Sequence, residues 1–144
     1  MKIDYSEFSV YPQISAIGMS VNRQLLFIGT CSHKAEILTW EIGSRTFLSS
    51  VVLQDIVEVR CIRACFNSSQ LAVVGLSPKN RARLIFLNQQ EVLASYSFDY
   101  SLNTKLHDIC FLPNESVKFM TCGMHHMAEW RYSSQTLAYE SYQL

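Results

Sequence analysis

Hydrophobic residues along this chain fall in short runs divided by polar turn clusters, and no segment of helical length repeats cleanly at the i, i+3, i+4, i+7 spacing of an amphipathic helix. The densest stretch, Leu106 to Trp130, reads LHDICFLPNESVKFMTCGMHHMAEW. It holds an apolar run from Leu106 to Phe111, a turn cluster at Pro113-Asn114-Glu115 and a second run from Val117 to Cys122. A break at Gly123 and two histidines precedes a third run, Met127 to Trp130. The same order occurs twice upstream. Ile14 to Met19, a turn at Ser20 to Gln24, Leu25 to Thr30, a break at Ser32-His33-Lys34 and Ala35 to Trp40 form one copy. Val57 to Phe66, a turn at Asn67-Ser68-Ser69, Leu71 to Gly75, a break at Ser77 to Arg81 and Ala82 to Leu87 form the other.

The third runs end at Trp40, Leu87 and Trp130, in steps of 47 and 43 residues. One further apolar run follows each copy: Phe47 to Leu53, Val92 to Phe98 and Leu137 to Tyr142. Four strands in about 40 to 45 residues is the period of a WD-type β-propeller blade. The pattern therefore predicts an all-β, WD40-type propeller segment of three four-stranded blades, 14–53, 57–98 and 105–143, with an outer strand at 3–11 before the first. The segment AEILTWE sets Ile37 and Thr39 against Leu38 and Trp40, as in a strand packed on both faces. Trp40, Leu87 and Trp130 are expected at equivalent structural positions, buried between neighbouring blades. Propellers close with about four to eight blades, so three form an incomplete ring. The remaining blades are expected from another chain or from a longer native chain.

Composition narrows the function classes. The 144 residues are 49% hydrophobic and 17% charged, a globular balance poor in charge, which suggests surface covered by something else. Twelve Lys and Arg offset twelve Asp and Glu, so no net field favours nucleic acid or an anionic membrane. The opening MKIDYSEFSVYPQ lacks the basic start and apolar core of a signal peptide, and no run has the length of a membrane span. A cytoplasmic protein with reduced cysteines is expected. Cys31, Cys61, Cys65, Cys110 and Cys122, an odd number in or beside predicted strands, read as small apolar core residues.

Catalytic motifs are missing: the chain has no phosphate-cradling Gly-rich loop, no GxSxG elbow and no HExxH helix. Cys61, Cys65, Cys122 and His125 would be a nominal zinc set, but Cys-x3-Cys along one strand separates its thiols by about 13 Å, too far for one ion. His107 and Asp108, adjacent on a strand, face opposite sides and cannot act as an acid-base pair with each other. Arg60 and Arg63 need either a β-bulge or a wet central channel. No catalytic residue, cofactor or metal is predicted, and the chain reads as a non-enzyme.

What remains is an interaction surface. Loops on a rigid scaffold are where binding residues concentrate, and the second-hairpin loops of successive blades should lie together at one end. Their candidates are His33 and Lys34, then Lys79, Asn80 and Arg81, then His125 and His126. The loop SPKNRAR, with Lys79, Arg81 and Arg83, reads either as a solvated hairpin or as a contact for an acidic partner.

Three stretches carry a family resemblance. FMTCGMHHMAEW is similar to the "TCG, His, Trp" ending of a blade in the echinoderm-microtubule-associated-protein-like proteins and in the WD-repeat proteins associated with cilia and flagella. LAVVG followed by SPKNRARLIFLN, and SVNRQLLFIGT, resemble other blade segments of the same proteins. The resemblance spans about residues 14 to 132. It implies a non-catalytic scaffold, with axonemal or cytoskeletal protein partners and a place in the cytoplasm at the cilium, flagellum or cytoskeleton. The chain departs from the ordinary WD pattern, in which an Asp is linked through His and Ser or Thr to the Trp. Lys34 and Met124 stand six residues before the two tryptophans and Leu87 replaces the second Trp, so this network is expected to be absent. A competing expectation is a small-ligand-binding β-barrel of lipocalin-like size, whose strands would form one continuous meander rather than a pattern that resets.

Overall fold

The computed structural model of the chain describes residues 13–66, 69–97, 106–112, 118–124, 126–133, 135–136 and 138–144. The expected N-terminal strand at 3–11, the turn at Pro113 to Glu115 and His125 lie outside the described residues. All regular structure among them is β-strand. In chain order these are β1 (Gln13–Met19), β2 (Leu25–Cys31), β3 (Glu36–Glu41), β4 (Thr46–Val52), β5 (Glu58–Ala64), β6 (Leu71–Leu76), β7 (Ala82–Leu87), β8 (Val92–Ser97), β9 (Leu106–Phe111), β10 (Lys118–Gly123), β11 (His126–Ser133) and β12 (Ala138–Gln143). The hydrophobic runs thus become strands nearly residue for residue, because in each the apolar side chains recur on a half- or fully buried pleat.

The strands form three antiparallel meanders, β1 to β4, β5 to β8 and β9 to β12. The first two share a sheet through a single bridge, Cys31 to Glu58, between β2 and β5; the third is a separate sheet. One irregularity recurs. The first two strands of every meander slip by one residue near the start of the first strand, at Ser15, Arg60 and His107. The bulge thus accommodates Arg60 without turning it into the core.

Counting from that bulge shows that the three meanders share a register. Thr30, Gly75 and Gly123 stand next to it on the second strand. Four residues earlier are Leu26, Leu71 and Phe119, which pair with Trp40, Leu87 and Trp130. The three third-strand residues singled out in the sequence are therefore structurally equivalent. A second slip, in the outer pair of strands beside Trp40 and Leu87, repeats in the first two meanders.

Two hydrophobic clusters join the meanders. Phe27, Ile37 and Val51 of the first pack with Val59, Ile62, Val73, Ile85 and Leu87 of the second. The opposite face of the second, with Cys61, Ala72, Val74, Leu84 and Phe86, packs on Ile109, Phe111, Phe119, Ala128 and Trp130 of the third. Strand β6 is consequently buried along its whole length, whereas β4 and β8 are largely exposed. Small side chains permit close approach: a Cβ on Gly29 would lie 2.4 Å from Val59 Cγ1, and one on Gly75 would lie 2.8 Å from Ile56 Cγ2.

The equivalence of the third-strand residues does not extend to their burial. Leu87 faces the first meander and Trp130 the second, and both are buried. Trp40, expected to be buried, is only half-buried; it lies edge-on to Phe47, with ring centroids 5.5 Å apart, and belongs to neither cluster. The reason is positional. This strand end faces the preceding meander, and no sheet precedes the first among the described residues. One link of the network expected to be absent is present at Trp130, whose Nε1–H donates to the buried Thr121 hydroxyl at 2.9 Å. The equivalent second-strand positions hold Ile28 and Val73, which cannot accept such a bond.

Candidate functional site

The loops expected to form a partner face can be placed through the hydrogen bonds that tie them to the β4–β5 connection. Ser32 N–H donates to Val57 O at 2.8 Å, Ala35 N–H to Ile56 O at 2.9 Å, and Val57 N–H to Leu76 O at 2.8 Å. The backbone of Ile56-Val57 therefore connects the β2–β3 loop, carrying exposed His33 and Lys34, to the β6–β7 loop, carrying exposed Lys79, Asn80 and Arg81. These two loops come together at one end of the first two meanders. His126 opens β11.

Each loop is fixed by a serine at the same repeat position. The Ser32 hydroxyl accepts from Lys34 N–H at 3.2 Å and donates to Lys34 O at 2.8 Å. In the second meander, Asn80 N–H donates to Ser77 O at 2.9 Å, Ser77 N–H to Arg81 O at 2.9 Å, and Arg81 N–H to the Ser77 hydroxyl at 3.2 Å. Asn80 takes the left-handed conformation, φ 59°, which asparagine adopts more readily than most residues. The result is a closed turn that holds Lys79 and Arg81 outward.

A cleft of about 370 Å³ opens beside this turn, lined by Asp55, Ser77, Lys79, Arg81, Arg83 and Ser97. Three cations and one carboxylate share it, and among the described residues none of the three cations is in an ion pair. Asp55, itself at φ 56° in the β4–β5 turn, was not recognisable in the sequence as part of the site; only the fold brings that turn beside β7.

Titratable side chains also meet where β5 approaches β9. Cys61 Sγ–H donates to Asp108 Oδ1 at 3.0 Å, and Arg63 Nη2 lies 2.8 Å from Asp108 Oδ1. Burial, reinforced by the hydrogen bond to Asp108, pushes the Cys61 thiol up to about 12. This is the reverse of what a nucleophilic cysteine needs. Burial opposes ionisation of Asp108, but hydrogen bonds from Cys61 and Ile109 N–H together with the Arg63 charge outweigh it and hold the carboxyl below its ordinary range. The trio ties two meanders together. His107, at the bulge, is exposed.

Of the nominal zinc set, His125 lies outside the described residues and the three cysteines are placed on two meanders. Cys61 and Cys65 are buried on the same face of the second meander, while Cys122 is exposed on the third. Among the described residues no three His, Cys, Asp or Glu side chains are placed to hold a metal ion. The cysteines are only partly the core residues expected from sequence: Cys31 is half-buried, and Cys110 and Cys122 are exposed. Their positions on partly covered strands explain the difference. Compared with known proteins, the sequence matches no protein-family model and no curated protein.

Proposed function

We propose that this chain is a non-catalytic scaffold for protein–protein interaction, a segment of a WD-type β-propeller whose blades are the three meanders. The observation that carries this reading is the shared register: the same bulge, the same strand partners and the same third-strand position recur in all three. A lipocalin-like barrel would hydrogen-bond its strands in chain order. Here β5 pairs with β2 and not with β4, and β6 is buried on both faces, as a blade between two others would be.

The exposed large apolar side chains bear on ring completion. Ile14, Ile17, Met19, Phe47 and Val52 lie on the first meander, and Met127, Tyr132 and Tyr142 on the third. Further blades, from another chain or a longer native chain, would cover such surface. The axonemal or cytoskeletal setting, and partners of that kind, follow from the resemblance of FMTCGMHHMAEW and the two upstream stretches.

Two measurements test the proposal. Residues 1–144 expressed alone should self-associate in light scattering, as a dimer that closes the ring; a soluble monomer with one cooperative unfolding transition argues against an incomplete ring. A tagged chain in ciliated cells should co-localise with the axoneme or microtubules, and a diffuse or secreted distribution would contradict that placement.

A further inference from the structure

We propose that the cleft between the β6–β7 loop and the β4–β5 turn binds an extended acidic peptide segment of a partner protein. The inference rests on the scaffold reading and adds to it the chemistry of the partner. Lys79, Arg81 and Arg83 bring three positive charges to one cleft against the single carboxylate of Asp55, and none of the cations is in an ion pair among the described residues. The chain as a whole is neutral, with 12 basic and 12 acidic residues. The excess is therefore local, and attraction for an acidic ligand would originate here rather than from a global field.

Spacing favours a peptide over a small anion. Arg81 immediately precedes β7 and Arg83 is its second residue, so their side chains leave the same side of the extended backbone about 7 Å apart. An extended peptide with acidic residues at every second position presents carboxylates at that same period, so that each arginine can meet a carboxylate of its own. Arginine's planar fork suits a bidentate carboxylate contact, and Lys79 supplies a third charge from the turn. The turn is already closed by the three bonds around Ser77, so little ordering is required on binding. Ser77 and Ser97 add hydroxyls along the wall.

The test uses the full chain and a fluorescein-labelled peptide of alternating Glu and Ser, read by fluorescence anisotropy, with an alternating Gln and Ser peptide as control. Saturable binding of the Glu peptide that weakens with salt is expected, with none for the Gln peptide. Lys79→Glu with Arg81→Glu should weaken binding by about tenfold or more. Asp55→Asn should strengthen it, a gain that a poorly folded variant cannot mimic. Arg45→Glu, in the exposed β3–β4 turn, should leave it unchanged. Absence of binding, equal binding of the Gln peptide, or equal losses from Arg45→Glu and the paired reversal would overturn the proposal. None of these results would alter the strand register on which the scaffold reading stands.

Discussion

Replacing Gly29 with alanine probes the contact between the first two meanders where it is closest. The added Cβ would lie 2.4 Å from Val59 Cγ1, 2.6 Å from Val59 Cβ and 3.2 Å from Ile62 Cδ1. Carbon atoms prefer about 3.5 to 4.0 Å, so the nearest contact is short by more than roughly 1 Å. Val59 is fully buried, and its branched side chain has few rotamers with which to retreat. Strands β2 and β5 must therefore separate, and the overpacking should cost about 2 to 3 kcal/mol. Urea unfolding at neutral pH measures it. Val59→Ala alone should also destabilise, by the lost methyl groups at about 0.8 kcal/mol each plus a cavity term. Combined with Gly29→Ala, however, it removes the closest clash, with Cγ1, although the Cβ retained at position 59 still lies 2.6 Å from the new methyl; the double variant should therefore recover part of the loss and be more stable than the sum of the two by about 1 kcal/mol. A Gly29→Ala protein as stable as the parent, or a strictly additive cycle, would refute the packing described between these strands.

Other outcomes follow from individual contacts. Trp130→Ala should cost about 3 to 5 kcal/mol because it removes a buried indole stacked on Phe119 and leaves Thr121 without that donor; Trp40→Ala, at a half-buried site, should cost clearly less in the same denaturation assay. Asp108 has a lowered carboxyl pKa, so its contribution to stability is present above the unfolded-state value near about pH 4 and is lost as pH falls through the folded-state value. An Asp108→Asn variant should therefore lose less stability than the parent on acidification, with a difference below about 1 kcal/mol because the pair is half-exposed. With its thiol raised to about 12, Cys61 should resist iodoacetamide in the folded protein while exposed Cys110 and Cys122 react, as peptide mapping would reveal. Arg45, at φ 56° in an exposed turn, should gain up to about 1 kcal/mol of stability on replacement by glycine.

The strands were legible in the sequence because burial writes itself into residue type. Runs such as Ala82 to Leu87 and Leu106 to Phe111 match β7 and β9 end to end. The registers were less accessible. A bulge depends on how two strands meet, and nothing in the types of Ser15, Arg60 and His107 marks them as equivalent before their partners are known. The burial of Trp40 was misjudged for a related reason. Residue type predicts an apolar environment, but what covers it depends on the neighbouring sheet. Lys79, Asn80 and Arg81 were readable as an exposed turn from their composition, yet Asp55 joins that cleft only through the chain's return after β4. The tie of Cys61 and Arg63 to Asp108 likewise spans meanders, and local sequence does not show what Asp108 meets; the bulge at His107 also interrupts the strict alternation from which opposite facing of His107 and Asp108 was expected.

The central claim, a register repeated in three meanders, is tested most directly by backbone nuclear Overhauser effects between strands in the labelled protein. The account predicts an interrupted β1–β2, β5–β6 and β9–β10 ladder at Ser15, Arg60 and His107, with cross-strand contacts pairing Trp40 to Leu26, Leu87 to Leu71 and Trp130 to Phe119. Unbroken ladders at those bulges, or contacts pairing β4 with β5 in a continuous meander, would contradict it.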